Sequence, residues 1–229
     1  MLLAKIQSSI SAYKNWLQSV RQHPNLYKWE SLQIFQERWN IEDRDPVTMY
    51  DSCFQNSENR NLWQSGNWQP KRMMIEFLRA DPMTVRLMFE DLYNESKTAE
   101  GRCGRFIFGC DELLRDFKRA HVGTVENNHY HDDFKMIALY LAFRYPENYA
   151  PYDFPTFQKT LEILGARDIP QQNDIERFFK VTRTLKTFID KDPEIEPLLQ
   201  NKLTPHKHYR GKTLLLVDDF CTFLTAEAQ

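Results

Sequence analysis

The sequence predicts a mainly α-helical fold, a compact domain of about eleven helices with little or no sheet. Apolar residues recur with helical spacing over long segments, while only 7 glycines occur among 229 residues. So few glycines leave little room for the many tight turns of an all-β or Rossmann-like fold. Prolines also stand just ahead of several amphipathic segments, where they are typical of a helix start.

The individual helices follow from these start signals and from the apolar period. Asp45, Asp81 and Asp192 each precede a proline, and an aspartate followed by proline is a common way to cap and begin a helix. Gly165 after Leu164 predicts a helix stop. The prolines that mark starts are Pro46, Pro70, Pro82, Pro155 and Pro193. The predicted helices cover 2–22, 28–39, 46–55, 70–79, 82–94, 110–120, 132–145, 155–164, 174–190, 193–202 and 211–226.

One part of the chain is ambiguous at this stage. The run 105–108 could form a strand, although Gly104 and Gly109 on either side equally suit a turn. The polar stretch 95–101 suits an exposed loop. We expect a single helical domain over 1–229, with a division into two lobes, 1–95 and 104–229, as the alternative.

Composition excludes several classes of protein. The formal net charge of -2 argues against non-specific coating of nucleic acid, which depends on many phosphate contacts from Lys and Arg. The four cysteines form no CxxC pair, which predicts free thiols in a reducing cytoplasm and no zinc finger. No apolar run approaches the roughly 18 residues that a membrane span needs. We therefore expect a cytoplasmic protein without a cofactor.

The C-terminal segment contains a partial nucleotide-binding motif that fails. Gly211, Lys212 and Thr213 resemble the end of a P-loop. Such a loop needs a glycine five residues before Gly211, where its backbone wraps the phosphates, and His206 stands there instead. This pattern predicts a helix beginning near Gly211, not a nucleotide site.

The densest polar cluster of the sequence is 126–133, just before an apolar segment. Neutral imidazoles and carboxylates are ligands for transition metals, so His129, His131 and Asp133 are a candidate metal centre. The same segment also suits a structural turn in which Asp132 or Asp133 caps the next helix. A third interpretation is a binding surface that reads a base or another ligand. Its candidate residues are Asn127, Asn128, His129, Tyr130 and His131.

A basic row and a group of tryptophans are the candidates for nucleic-acid binding. The row could contact phosphates, or it could be an ordinary solvated helix face. The tryptophans are typical core residues, but a cleft of such rings is also what an extruded base stacks into. The row consists of Arg177, Lys180, Arg183 and Lys186, and the tryptophans are Trp29, Trp39, Trp63 and Trp68.

Three blocks of this chain resemble the region that precedes the AAA+ motor in bacterial McrB-like proteins, the NTP-driven subunits of modification-dependent restriction systems. The blocks are 26–39, 126–133 with 142–147, and 177–185, and the resemblance extends from about 26 to 224. It implies a specificity module that works with an AAA+ motor domain in cis and a nuclease subunit in trans. The motor's own nucleotide motifs are missing from this sequence.

From these observations we expect a non-catalytic target-recognition module of a restriction or phage-defence protein, with DNA, and a modified base in it, as the target. The basic row would position the DNA backbone, and the tryptophans or the 126–133 cluster would read a base. Two alternatives remain open. One is a protein-interaction scaffold for motor assembly or sensing, and the other is a metal-dependent enzyme that uses the 126–133 cluster.

Overall fold

The computed structural model describes residues 1–56, 58–64, 69–123 and 126–227, and the mainly α-helical fold is confirmed in them. This part of the chain holds eleven α-helices and one short 3-10 helix, Asn59–Leu62, and none of its residues lies in a strand. The helices are α1 (Leu3–Ser19), α2 (Tyr27–Arg38), α3 (Pro46–Cys53), α4 (Pro70–Ala80), α5 (Pro82–Leu92), α6 (Ala99–Ala120), α7 (Lys135–Arg144), α8 (Phe154–Ile163), α9 (Ile175–Ile189), α10 (Ile195–Gln200) and α11 (Leu215–Glu227).

Aspartate and proline begin several helices as the sequence predicts. The carboxylates of Asp45 and Asp81 accept hydrogen bonds from the backbone N–H groups three residues later, at 3.1 and 2.9 Å, and the prolines after them open α3 and α5. The prediction for Pro193 is two residues early. Asp192 accepts from the backbone N–H of Glu194 in a turn, and α10 begins only at Ile195.

Gly165 ends α8, which confirms the predicted helix stop. It adopts the left-handed conformation, with φ 68°, and the backbone N–H of Ala166 returns to the carbonyl of Leu161 at 2.8 Å. A Cβ at this position would lie 3.0 Å from the side chain of Leu2. Glycine is therefore suited here by both its backbone freedom and its small size.

The prediction for the region around residue 100 is wrong in two ways. The run 105–108 is helical, and the helix predicted for 110–120 begins eleven residues earlier, because α6 starts at Ala99. Gly109 lies within α6 and does not mark a turn. A Cβ at this position would lie only 2.7 Å from the sulfur of Met88 on α5. This glycine allows α5 and α6 to approach closely, at a modest cost in helix propensity.

The core surrounds α7, whose apolar character on all sides predicts its burial. Residues 136–143 are at most 2% exposed. The helix begins at Lys135, and Asp133, one of the two predicted caps, accepts the Lys135 backbone N–H at 2.9 Å. A single cluster of buried hydrophobic residues extends from Ile6 on α1 to Leu224 on α11.

A buried carboxylate ties the two ends of the chain together. Asp219 on α11 is fully buried and accepts from the Tyr13 hydroxyl at 2.6 Å and from the Asn25 amide at 2.7 Å. The carboxylate oxygen of Asp219 that accepts from Tyr13 also lies 3.0 Å from Nε2 of His23. Burial raises the pKa of Asp219, but the contacts from His23, Lys28 and Tyr13 outweigh burial and hold the pKa below its usual value.

None of the helices in the described ranges is both long and apolar enough to cross a membrane.

We expect Asp219→Asn to lower the free energy of unfolding by about 3 kcal/mol at neutral pH, because the buried donors lose a charged acceptor. The pKa of Asp219 is lowered in the folded state. Its stabilisation is therefore complete above the unfolded pKa of about 3.9 and is lost as the pH falls through the lower folded pKa. Urea unfolding of both proteins across a pH series measures this difference.

The matched control is Asp116→Asn, which changes an exposed carboxylate paired with Arg119, with an expected effect within about 0.5 kcal/mol. A difference between the wild type and Asp219→Asn that stays constant down to about pH 2 would contradict this role of the ionised carboxylate.

Candidate functional site

A cavity of about 250 Å³ lies where α2, α8, α9 and α11 meet, and we call it the central cavity. Ligand pockets usually measure roughly 300–1,000 Å³, so this cavity suits a group smaller than most drug-sized ligands, such as a single ring system. Its wall combines charged, hydroxyl and aromatic side chains. These include Tyr27, Lys28, Lys135, Tyr152, Asp153, Thr160, Phe178, Asp218 and Thr222.

The polar wall of the central cavity is built around a buried ion pair. Lys28 Nζ on α2 lies 2.6 Å from Asp218 Oδ2 and donates to the Thr222 hydroxyl at 3.1 Å, both on α11. Burial lowers the pKa of Lys28, but Asp218 and Asp219 outweigh burial and raise it. Burial also raises the pKa of Asp218 more than Lys28 lowers it. Both residues line the cavity, so the pair presents hydrogen-bond donors and acceptors to it.

A second ion pair borders the same cavity. Lys135 Nζ, at the start of α7, lies 3.2 Å from Asp153 Oδ1. The other oxygen of Asp153 accepts from the backbone N–H and hydroxyl of Thr156, at 3.1 and 2.7 Å, and so caps α8. Burial raises the pKa of Asp153, but Thr156 and Lys135 outweigh it and lower the pKa below its usual value. With one lysine for each aspartate, the two pairs leave the wall close to electrically neutral.

Aromatic rings also line the cavity. The ring of Phe178 on α9 packs edge-on against Tyr152 and Phe157, with centroids 4.8 and 5.3 Å apart. The Tyr152 hydroxyl donates to Asn173 at 3.1 Å, and burial raises the pKa of Tyr152 to about 12. These contacts hold the rings in place beside the cavity.

Two further groups at the cavity bear on its chemistry. The Thr160 hydroxyl is buried without a nitrogen or oxygen partner among the described residues, and it lies beside the thiol of Cys221. Burial raises the pKa of Cys221 to about 12, so the thiol is not an activated nucleophile at neutral pH. The arrangement can bind a flat polar group, and the thiol offers it no ready covalent chemistry.

The predicted basic row is divided by ion pairs. Arg177 lies 2.8 Å from Asp168, and Lys186 pairs with Asp190. Lys180 and Arg183 are exposed and make no ion pair within the described ranges. Only Lys180 and Arg183 can therefore contact a phosphate without first breaking an ion pair.

The basic row and the central cavity lie on different sides of α9. Phe178, Thr182 and Leu185 line the cavity. At 3.6 residues per turn, Lys180 and Arg183 project from the outer side of the helix, away from these residues. One nucleotide could not contact both regions at once.

The predicted tryptophans are packed into the protein body instead of lining a common cleft. Trp29 is buried, Trp63 is buried and donates to the Asn59 side chain at 2.6 Å, and Trp39 stacks on Phe35 with centroids 4.9 Å apart. None of these three lines the central cavity. Trp68 lies outside the described residues.

The 126–133 cluster forms a hydrogen-bonded turn against α6. The Asn128 side chain accepts from the Tyr130 backbone N–H at 2.5 Å, and Glu126 accepts from the backbone N–H of Asn127 at 3.1 Å and from the Tyr130 hydroxyl at 3.0 Å. Tyr130 has a positive φ of 61°, which the turn requires. The predicted turn is therefore present. The N-cap residue of α7 is Phe134 and not Asp132 or Asp133, although Asp133 accepts the backbone N–H of Lys135.

The two histidines of this cluster are buried while its asparagines lie nearer the surface. His129 and His131 are 4% and 0% exposed. Burial lowers the pKa of His131 to about 3, so this imidazole is neutral at physiological pH. Their ligating atoms come together with Cys110 on α6, and Asp133 is not part of that group.

Sequence reasoning missed the residues of the central cavity. Lys28, Lys135, Asp153 and Asp218 lie far apart in the chain, and no short motif connects them. The one available signal was the pair Asp218 and Asp219 directly after the apolar residues 214–217. Carboxylates within such a segment are buried, and buried carboxylates require partners.

Comparison of this chain with protein-family models, with curated proteins and with solved structures yields no match. The resemblance to McrB-like proteins thus stays a hypothesis.

Proposed function

We propose that this chain is a non-catalytic recognition module of an McrB-like defence protein, and that it binds one base of its DNA target in the central cavity. The observation that carries the proposal is the cavity itself, a space of about 250 Å³ lined by the Lys28–Asp218 pair and by the rings of Tyr152 and Phe178.

The chemistry of the cavity fits a base better than a phosphate. A base offers two π-faces and an edge of hydrogen-bond donors and acceptors, and proteins that extract a base read both. Tyr152 and Phe178 can contact a face, while Thr222 and the Lys28–Asp218 pair can bond to an edge. A phosphate would require an excess of positive charge, which the paired lysines do not supply.

The same residues support a role without catalysis. The carboxylates at the cavity are each engaged by a lysine, and the Cys221 thiol has a raised pKa. General acid–base chemistry needs a free group with a pKa near the operating pH. Burial raises the pKa of Asp218, but its carboxylate is engaged by Lys28. Cytoplasmic location, an AAA+ motor in cis and a nuclease in trans belong to the proposal through the resemblance alone.

Backbone binding is a separate part of the proposal, because Lys180 and Arg183 project from the outer side of α9. Phosphate contacts there would add salt-dependent affinity without base selectivity. They would serve to hold the duplex near the module while the cavity selects among bases.

We expect Val181→Trp to weaken the binding of nucleosides and of short single-stranded oligonucleotides by roughly tenfold or more, because the indole would occupy the cavity beside Phe178. Isothermal titration calorimetry with unmodified, methylated and hydroxymethylated cytosine nucleosides measures this effect. The control, Thr184→Trp, places the same indole on the exposed side of α9 and leaves the binding of nucleosides unchanged. Absence of binding by the wild type, or equal binding by Val181→Trp, would exclude the cavity as the site.

We expect the double variant Lys180→Ala, Arg183→Ala to weaken binding to duplex DNA of any sequence and to reduce the slope of log K against log salt by about 2. The matched double variant, Arg177→Ala with Lys186→Ala, removes the same charge from residues already paired with aspartates and has a smaller effect. Fluorescence anisotropy across a salt series compares them. Equal slopes for all three proteins would remove phosphate binding by α9 from the proposal.

A scaffold role is the second candidate, and exposed apolar residues favour it. Met83 and Leu87 on α5 and Phe108 on α6 are 62%, 57% and 64% exposed. Met83 also borders an apolar cavity of about 210 Å³ together with Trp39 and Phe89. Apolar surface of this kind often marks a protein contact.

If the exposed residues of α5 form such a contact with a second copy, the chain self-associates as its concentration rises, and Leu87→Lys prevents this. Sedimentation velocity measures the association, with Thr184→Lys as a control at another exposed position. A monomer at all concentrations would remove this form of the scaffold role.

A further inference from the structure

The strongest cluster of ligand-type side chains outside the central cavity consists of Cys110, His129 and His131. The sulfur of Cys110 and one ring nitrogen of each histidine all lie within 4.8 Å of one another. All three residues are buried. Cys110 comes from α6 and the histidines come from the turn before α7, so the cluster joins two segments that are distant in sequence.

Each imidazole has one ring nitrogen next to a hydrogen-bond acceptor. Nδ1 of His131 lies 2.6 Å from the backbone carbonyl of His129, which can only accept, so this nitrogen carries the proton. Nε2 of His131 therefore keeps its lone pair, and it lies 3.3 Å from the Tyr140 hydroxyl.

His129 has the corresponding arrangement with a carboxylate. Its Nε2 lies 3.2 Å from Asp111 Oδ1, which assigns the proton to Nε2 and the lone pair to Nδ1. That lone pair accepts the backbone N–H of His131 at 3.1 Å. A carboxylate or carbonyl that bonds to the second nitrogen of a histidine is the usual outer shell of a metal ligand.

We propose that Cys110, His129 and His131 bind a Zn²⁺ ion through the sulfur and one ring nitrogen of each histidine. If the ion binds Nδ1 of His129, it replaces the hydrogen bond that this nitrogen accepts from the backbone N–H of His131. One thiolate with two imidazoles is a ligand set that zinc prefers. In a tetrahedral zinc site such atoms stand about 3.4–3.6 Å apart, so closure from 4.8 Å requires side-chain movements of about 1 Å.

Binding exchanges one bond for another at the cysteine. The S–H bond breaks, the sulfur–zinc bond forms with the sulfur's electron pair, and the proton passes to solvent. The ion would fasten the 126–133 turn to α6 and so fix the start of α7. This role is structural, and it does not depend on the function proposed for the central cavity.

The experiment titrates the purified, chelator-treated full chain with Co²⁺ and then displaces it with Zn²⁺. We expect one Co²⁺ per chain with a thiolate-to-cobalt charge-transfer band, loss of the band on addition of Zn²⁺, and a higher Tm with Zn²⁺. Cys110→Ser abolishes the band, whereas Cys103→Ser, a buried cysteine two turns earlier on α6, retains it.

A second variant keeps the test decisive if Cys110→Ser does not fold. Asp111 is 61% exposed at its side chain, so Asp111→Ala preserves the fold, leaves all three ligands in place and removes only the outer acceptor. We expect it to weaken metal binding roughly 10–100-fold. A wild type that binds neither ion, or a charge-transfer band that persists in Cys110→Ser, would overturn the proposal.

Discussion

Two adjacent carboxylates on α11 impose the constraint on which much of this structure depends, because Asp219 is fully buried and Asp218 is mostly buried. Asp218 and Asp219 follow an apolar segment, and unpaired charges at such depth would cost several kcal/mol each. Asp219 obtains its donors from α1 and from the loop after it, while Asp218 obtains Lys28 from α2. The need to pair these charges brings the first two helices against the last one.

The central cavity is a consequence of the same pairing. Lys28 extends across the gap between α2 and α11 to reach Asp218, and the space beside it is closed by the rings on α8 and α9. Lys28 and Asp218 thus stabilise the fold through their ion pair and also line the cavity. The proposed base-binding function uses this double role.

Much of the helical fold could be predicted from local signals, because caps and helix stops act within three or four residues. Asp45, Asp81 and Gly165 show this directly. The first half of α6 could not be predicted in this way. Gly109 resembles a turn residue until its close approach to Met88 on α5 is known. At the sites, His129 and His131 were predicted as candidate ligands, but Cys110 and the cavity residues come together only through tertiary packing. The opposite placement of Lys180 relative to the cavity likewise depends on which face of α9 is buried.

The central claim is that the cavity between α2, α8, α9 and α11 binds a base, and amide chemical-shift mapping during titration with a short single-stranded oligonucleotide tests it most directly. The account predicts that the largest shifts fall on Thr160, Thr182 and Thr222, which line the cavity on three different helices. Shifts confined to the outer side of α9 around Lys180 and Arg183, with the cavity amides unchanged, would contradict it.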